Sequence, residues 1–379
     1  MTVFQKKPKD ERVLSVRNLN ISFETANGTV KAIRGVRMDL YRGETIAIVG
    51  ESGSGKSVTV KTIMGILASN GKIDSGSIMY TFTNEKGEKE TVDMTKLSQK
   101  EIRYRFNGKH IAMVFQDPMT SLDPTMTIGK QIMEGMLLHE KISKQEAKER
   151  AIKLLTDVGI ENPDKRFKQY PHQLSGGMRQ RVVIAIALSC NPDILICDEP
   201  TTALDVTIQA KILELIKKIQ DEKQISVIYI THDLGVVAKV ADYVDVMYAG
   251  RIIEKGNINE VFYDPRHPYT WGLLASMPDT DTDSKRLFAI PGTPPNLLEE
   301  ITGDAFAPRN PYALAIDYQA EPPMFTVGGQ HRVASWLCDP RAPQIDLPDQ
   351  LKDRLERMRA ENEAINAVAA EIQQNREGV

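Results

Sequence analysis

Residues 50–57 have the residue types and spacing of a loop that binds a triphosphate. The stretch reads Gly50-Glu51-Ser52-Gly53-Ser54-Gly55-Lys56-Ser57. It follows an apolar run at residues 45–49 and leads into a helical pattern from Val58 to Leu67. In such a turn the backbone N–H groups surround phosphate oxygens at a helix N-terminus, with Lys56 at the β- and γ-phosphates and Ser57 on Mg²⁺. A purely structural glycine turn is the alternative, and the flanking strand and helix argue against it.

A pair of carboxylates, Asp198 and Glu199, follows an apolar run at residues 194–197 that predicts a buried strand. At the carboxyl end of that strand, Asp198 can hold Mg²⁺ through water. Glu199 points elsewhere and can orient or deprotonate the attacking water. An acidic pair at a strand end is often only a turn, but a phosphate loop in the same sheet favours the catalytic interpretation.

Two further polar residues, Gln116 and His232, follow apolar strands at residues 111–115 and 226–230. Parallel sheets bind their ligands at the carboxyl ends of the strands. His232 can then contact a γ-phosphate or the attacking water, with its other nitrogen fixed by a backbone group. Without the other motifs, a solvated amide and a surface histidine are the commoner roles.

A second glycine-containing helix start lies at residues 174–181, Leu-Ser-Gly-Gly-Met-Arg-Gln-Arg. Ser175 and the two glycines predict an anion-binding helix N-terminus. One nucleotide does not need two such sites in one chain, so this one is expected to serve a nucleotide held by a partner subunit. Taken alone, a serine–glycine cap is common and structural.

The surrounding elements predict a parallel α/β core with additions. Residues 13–49 alternate as antiparallel strands about a turn at Asn27-Gly28, and residues 73–78 predict a turn into a further strand. Residues 126–170 predict an inserted helical lobe, whose helix is stopped by Gly159 and Pro163. Phe23, in the antiparallel layer, can stack on an adenine, although a half-buried strand aromatic is the commoner case.

Composition restricts the class of protein. The 379 residues have a formal net charge of −3, which gives no basic field for nucleic acid. No apolar run approaches the ~18 residues of a membrane span, and Met1–Lys7 lacks a signal-peptide core. The three cysteines show neither disulfide nor metal-ligand spacing. We expect a soluble, cytosolic protein that needs a partner for any role at a membrane.

In order and spacing, residues 12–262 resemble the ATP-binding subunits of ABC transporters, which have a P-loop NTPase core with an antiparallel β subdomain and an inserted helical subdomain. The resemblance implies an ABC nucleotide-binding domain at residues 1–262, with the helical subdomain at about 117–190. It also implies a head-to-tail dimer that holds two ATP molecules. The implied catalytic residues are Glu199, His232 and Gln116. The implied ATP contacts are Phe23, Gly50, Glu51, Ser52, Gly53, Ser54, Gly55, Lys56, Ser57, Gln116 and Asp198, with Ser57, Gln116 and Asp198 also holding Mg²⁺. The implied contacts to the partner's ATP are Leu174, Ser175, Gly176, Gly177, Met178, Gln180 and Asp205.

The C-terminal third, residues 263–379, is rich in proline and has no catalytic spacing. Its segments at residues 267–270, 291–295 and 306–309 resemble the tail of ATPases from oligopeptide, dipeptide and nickel importers. Met178 and residues 116–122 further resemble the D-type subunit of oligopeptide permeases. Many such tails bind an iron–sulfur cluster through cysteines, but the matching positions here are Asn310, Asp317 and Ser335, leaving Cys338 alone. Since a cluster needs about four thiolates, none is expected.

A terminal helix is predicted at about residues 350–376, where apolar residues alternate at spacings of four and three. They are Leu351, Leu355, Met358, Asn362, Ile365, Ala369 and Ile372. A coiled-coil contact with a partner ATPase is one interpretation. An amphipathic helix on its own domain, or a frayed tail, is the commoner outcome for such a short stripe.

The resemblance implies a peripheral ATPase on the cytoplasmic face of the cell membrane that drives oligopeptide import. Its implied partners are an F-type ATPase, two transmembrane permease subunits and an extracytoplasmic peptide-binding protein, with no nucleic acid. The segment from Gln116 to Pro124 is the expected permease contact. Import of dipeptides, nickel or another solute is the nearest alternative, and a soluble ABC ATPase of DNA repair or translation is the more distant one.

Overall fold

The computed structural model describes residues 12–201, 205–277, 289–349 and 351–360. Its strands are β1 Arg12–Thr25, β2 Gly28–Tyr41, β3 Thr45–Val49, β4 Gly71–Thr83, β5 Lys89–Asp93, β6 Ile111–Val114, β7 Ile194–Asp198, β8 Ser226–Thr231, β9 Tyr243–Tyr248, β10 Arg251–Asn257, β11 Phe325–Gly328 and β12 His331–Val333. Its helices are α1 Lys56–Ile63, α2 Gln99–Arg105, α3 Pro118–Ser121, α4 Ile128–His139, α5 Lys144–Asp157, α6 Pro163–Phe167, α7 Gly176–Ala187, α8 Val206–Lys223, α9 Leu234–Val240, α10 Ile258–Tyr263 and α11 Pro268–Ala275. A further helix covers residues 351–360. Within these ranges, no helix is both long enough and apolar enough to cross a membrane.

The central sheet has the strand order β11-β12-β10-β9-β3-β8-β7-β6. Its strands β9, β3, β8, β7 and β6 run parallel, which brings the carboxyl ends of β3, β6, β7 and β8 to one edge. Alternate residues of β3 pack on opposite faces, Ala47 and Val49 on one and Ile46 and Ile48 on the other. Burial on both faces explains why these strands read as continuous apolar runs rather than alternating ones.

The antiparallel layer is a second sheet, with the order β2-β1-β4-β5. The short strands predicted within residues 13–49 are parts of two long strands, β1 and β2, which pair with bulges. The turn predicted at residues 73–78 is wrong, because β4 runs through it as a strand. The pairing of β4 with β1 shifts its register opposite Gly76. Gly76 has a positive φ of 103°, which suits a residue without a side chain.

The helical insertion lies between β6 and β7, as predicted, and contains α3 to α7. Two predicted helix ends are corrected. Gly159, with φ of 72°, follows the end of α5, but Pro163 begins α6 instead of stopping a helix, since its missing N–H is tolerated in a first turn. The helix predicted to reach Leu67 ends at Ile63, where Met64 is the C-cap and Gly65 has a positive φ.

The C-terminal third joins the central sheet, since β12 pairs with β10 and β11 pairs with β12. The domain division at residue 262 therefore stays a prediction. In residues 351–360 the terminal stripe packs on the chain's own core, with Leu351 and Leu355 buried and Met358 against them. The part of the helix predicted at residues 361–376 lies outside the described residues.

Candidate functional site

The loop between β3 and α1 has a backbone path that only glycine permits at its start. A Cβ atom on Gly50 would lie 2.1 Å from the carbonyl oxygen of Met247, and its φ is 151°. Gly55 is the N-cap of α1 and has no side chain to accept from the first N–H groups of the helix. Those N–H groups lack intrahelical acceptors, so they can bind an anion.

Lys56 is held inside this loop. Its side chain is buried, and Nζ donates to the carbonyl oxygens of Gly50 at 2.7 Å and Glu51 at 2.9 Å. Burial lowers the pKa of Lys56, and the nearby carboxylates of Glu199, Asp198 and Glu51 oppose that shift. The carbonyl groups bind the ammonium through their dipoles alone. Phosphate oxygens, which carry a full negative charge, can therefore replace the carbonyl oxygens as acceptors from Lys56.

Ser57 and Asp198 lie together, as the strand arrangement predicts. The Ser57 Oγ donates to Oδ1 of Asp198 at 3.1 Å. Burial raises the pKa of Asp198, while the Ser57 hydrogen bond and the charge of Lys61 act against it. A hydroxyl and a carboxylate at this separation are hard oxygen ligands of the kind that Mg²⁺ takes together with water and phosphate. This pair therefore fits a magnesium site.

Glu199 connects the ends of three parallel strands. Its Oε2 accepts from Nε2 of Gln116 at 2.8 Å, and its Oε1 lies 3.1 Å from Nδ1 of His232. Its backbone N–H donates to the carbonyl of Ile230, and its φ is 48°, which is uncommon for a residue with a side chain. Strained backbone of this kind often occurs at functional sites, and here it accompanies a fixed carboxylate.

Two details differ from the sequence-based expectation. His232 uses its Nδ1 atom to contact the Glu199 carboxylate, whereas a contact with a backbone group was expected. Because a carboxylate only accepts, this contact requires the imidazole proton on Nδ1. The side-chain amide of Gln116 is directed at Glu199, so its contact with Mg²⁺ stays a prediction.

The second glycine-containing helix start lines a separate cleft. Ser175 is the N-cap of α7, and its Oγ accepts from the Met178 N–H. The cleft measures about 580 Å³ and is lined by Gly159, Ile160, Glu161, Arg166, Ser175, Gly176, Gly177, Met178, Arg181, Asp205 and Ile208. None of residues 50–57 lines it, and the predicted role towards a nucleotide held by a partner subunit stays a prediction. A Cβ on Gly176 would meet no atom within 4 Å, so its backbone is open to a ligand.

The other predicted contacts have less direct positions. Leu174 and Gln180 are buried, and Met178 is partly buried against the core. Asp205 is the N-cap of α8, where its Oδ1 accepts from the Ile208 N–H at 2.9 Å. Phe23 is half-buried on β1, opposite Val30 and Gly71, and its stacking on adenine stays a prediction.

Sequence reasoning gave no role to two residues that contact the phosphate loop from the C-terminal third. Arg309 forms a two-pronged ion pair with Glu51, and the Tyr269 hydroxyl accepts from the Glu51 N–H at 2.8 Å. The one available signal was an arginine at the end of an otherwise apolar segment, residues 305–309. Nothing in its local spacing identifies a partner 258 positions away.

Comparison with known families and proteins finds matches over most of the chain. Residues 33–202 match the ABC transporter family, and residues 253–316 match the C-terminal region of oligopeptide/dipeptide transporters. The oligopeptide transport ATP-binding protein OppD of Bacillus subtilis is 56% identical over 92% of this chain and 95% of its own length. The dipeptide transport ATP-binding protein DppD of Lactococcus lactis is 54% identical over 92% of this chain and 97% of its length.

Solved structures show the same fold. The ATP-binding cassette MJ0796, in a dimeric post-hydrolysis state bound to ADP and Pi, matches with a TM-score of 0.55 and 27% identity, over 65% of this chain and 98% of that one. The cbiO1 protein of Clostridium perfringens, part of the ABC transporter complex cbiONQ, matches with a TM-score of 0.54 and 32% identity, over 67% of this chain and 92% of that one. The individual site assignments above remain predictions.

Proposed function

This chain belongs to the ATP-binding subunits of ABC transporters, in the group that serves oligopeptide and dipeptide transport, and we propose that it hydrolyses ATP to import oligopeptides. The observation that supports the proposal most strongly is the convergence of Gln116, Glu199 and His232 at the sheet edge where the phosphate loop lies. A binding module without catalysis would not need a carboxylate held from both sides.

Binding of ATP uses the loop and the start of α1. The N–H groups of residues 53–57 bind the β- and γ-phosphates, and Lys56 moves its ammonium from the loop carbonyls to phosphate oxygens. Ser57 and Asp198 would hold Mg²⁺, which neutralises the charge that develops on the phosphate oxygens. Phe23 contributes a flat face for the adenine.

Hydrolysis uses the carboxylate of Glu199. A water molecule attacks the γ-phosphorus, the bond to the bridging oxygen of ADP breaks, and Glu199 accepts a proton from the water. Gln116 and His232 each occupy one carboxylate oxygen, which holds the group in a fixed orientation. Preset orientation matters because a misplaced base loses much of its effect.

The partner ATPase completes the site. Ser175 and the glycines after it offer N–H groups at an open cleft, which suits the γ-phosphate of an ATP molecule bound to the opposing subunit. We propose a head-to-tail dimer with a separate F-type ATPase. Each nucleotide would lie between the phosphate loop of one subunit and, in the other subunit, the segment that corresponds to residues 174–181 of this chain. The nucleotide then acts as part of the interface.

Coupling to the membrane requires exposed contacts for permease subunits at the cytoplasmic face. Residues 116–124 suit this role, because Met119 has 60% of its surface exposed and Phe115, just before the segment, has 39%. Arg179, in α7, contacts the Met119 sulfur and donates to the carbonyl of Leu174, which links residues 116–124 to the start of α7. A permease that moves Met119 would therefore also move α7. An extracytoplasmic peptide-binding protein would deliver the substrate.

The test is reconstitution of this chain with its partner ATPase, two permease subunits and the binding protein in liposomes. Oligopeptides should stimulate ATP hydrolysis and accumulate inside vesicles, with dipeptides and Ni²⁺ as separate arms that identify an alternative solute. Stimulation by DNA or ribosomes, without transport of any solute, would contradict the import proposal and favour a soluble ATPase.

A further inference from the structure

Glu51 places a carboxylate in the loop that receives a triphosphate, where an uncompensated negative charge would oppose binding. Arg309, from the C-terminal third, supplies the compensating charge. Its Nη1 donates to Oε2 of Glu51 at 2.7 Å and its Nη2 donates to Oε1 at 3.0 Å. The two parallel hydrogen bonds fix both the charge and the orientation of the carboxylate.

The guanidinium of Arg309 is itself held on all sides. Its side chain is 4% exposed, Nε donates to the carbonyl of Pro291 at 2.8 Å, and Nη2 also donates to the carbonyl of Ile290. Nη1 lies 3.2 Å from the hydroxyl of Tyr248, and the guanidinium carbon lies 5.7 Å from the centre of that ring. An arginine positioned by so many bonds behaves as a rigid support.

A second support acts on the backbone of the same residue. The hydroxyl of Tyr269, in α11, accepts from the Glu51 N–H at 2.8 Å. The Tyr269 ring is fully buried and lies 4.6 Å from the ring of Tyr248 and 5.4 Å from that of Phe306, centre to centre. The C-terminal third therefore holds the first turn of the loop through both main chain and side chain.

We propose that Arg309 is a positioning residue of the ATP site, and that the C-terminal third sets the affinity for ATP by neutralising and holding Glu51. The proposal rests on the proposed function, because it concerns the same phosphate loop. Arg309 acts through Glu51, whose carbonyl is one of the two that hold Lys56. None of its hydrogen bonds reaches Gln116, Glu199 or His232.

Loss of Arg309 should thus affect binding more than chemistry. In Arg309→Met, the Glu51 carboxylate has no counter-ion, so it attracts Lys56 and repels the incoming phosphates. We expect the Kd for ATP of the purified chain to rise about tenfold. The kcat of the complex with the partner ATPase and permeases should stay within about twofold, because the base and its two partners are unchanged.

The double variant Arg309→Met/Glu51→Gln separates this role from a merely structural one. Removing the carboxylate removes the repulsion, so the Kd for ATP should return most of the way to that of the wild type. If Arg309 served only to pack the C-terminal third, the second substitution would not restore binding. A double variant that binds ATP as weakly as Arg309→Met overturns the proposal.

Two further variants distinguish loss of the Glu51 contacts from misfolding of the chain. Tyr269→Phe removes only the acceptor for the Glu51 N–H and should raise the Kd for ATP by about threefold without lowering thermal stability much. Arg341→Met is the control, because Arg341 is an exposed arginine of the same third that pairs with Asp339, and this variant should bind ATP like the wild type. Wild-type affinity in both Arg309→Met and Tyr269→Phe would contradict the inference, whereas a wild-type chain that binds no ATP would contradict the proposed function itself.

Discussion

The side-chain amide of Gln116 donates to the carboxylate of Glu199 at 2.8 Å, although 83 positions separate them in the sequence. Gln116 follows β6 and begins the connection to the helical insertion, whereas Glu199 follows β7. A displacement of the helical insertion therefore acts directly on one of the two groups that orient Glu199. If the proposed permease contact at residues 116–124 and the proposed role of Glu199 are correct, this hydrogen bond connects the two physically.

Glu199→Gln should abolish turnover and preserve binding. The amide keeps the size of the side chain and can still accept from Gln116, but it cannot take a proton from water. We expect ATP hydrolysis to fall about 100-fold or more while the Kd for ATP changes little. Steady-state phosphate release and nucleotide titration measure the two quantities. Glu214→Gln, on the exposed face of α8, is the matched control and should retain wild-type turnover. Unchanged hydrolysis in Glu199→Gln would remove this residue from the catalytic role.

Ser175→Arg tests the composite site. The long cationic side chain would project at the cleft beside Gly176 and obstruct a nucleotide held by the partner. ATPase activity of the assembled complex should fall about tenfold or more, while ATP binding to the isolated chain stays at the wild-type level. Ser143→Arg removes an equivalent helix N-cap in the same helical insertion and controls for loss of capping. Loss of binding in the isolated Ser175→Arg chain would show that the cleft serves the chain's own nucleotide.

Met119→Asp tests the permease contact. An exposed apolar side chain becomes charged, so docking on an apolar permease surface should weaken by about tenfold while the isolated chain binds ATP normally. Co-purification with the permeases and peptide-stimulated hydrolysis provide the measurements. Ile316→Asp changes another exposed apolar residue, in the C-terminal third, and should assemble as the wild type does. Equal assembly of both variants would exclude Met119 from the interface.

Asp245 should make stability depend on pH. It lies fully buried in β9, and neither carboxyl oxygen has a hydrogen-bond partner among the described residues. Burial raises the pKa of Asp245 to about 7, while Lys255 opposes the shift and Asp39 adds to it. Between about pH 4 and that value, the unfolded chain loses the proton and the folded chain keeps it. The contribution of Asp245 to the free energy of unfolding is therefore fully present below about pH 4. It falls as the pH rises towards about 7, by up to about 1.4 kcal/mol per pH unit.

Asp245→Asn should therefore flatten the fall in stability between pH 5 and pH 8 and make the protein more stable than the wild type at pH 8. Urea unfolding at the two pH values measures the difference. Asp349→Asn, at a position where the side chain is almost fully exposed, should retain the wild-type slope. Identical slopes in the wild type and Asp245→Asn would mean that Asp245 is ionised in the folded protein at both pH values.

The sequence alone determined the phosphate loop and the strand ends that face it. Apolar runs before Gln116, Glu199 and His232 predicted parallel strands, and parallel strands in one sheet must present their carboxyl ends at one edge. The convergence of these side chains was therefore predictable without coordinates. The helical insertion was predictable for a similar reason, because its apolar stripes have the helical period and no strand interrupts them.

Tertiary structure alone decided how the C-terminal third joins the central sheet and contacts the phosphate loop. Its β12 pairs with β10, and its Arg309 and Tyr269 hold Glu51, yet its sequence is proline-rich and has no helical or strand period across most of its length. An ion pair between distant segments has no local pattern, since either partner alone reads as an ordinary surface charge. Only the fold brings Arg309 to the loop, buries it and leaves Glu51 as its counter-ion. The sequence thus specified the parts that bind and cleave the nucleotide, and the packing specified what holds them in place.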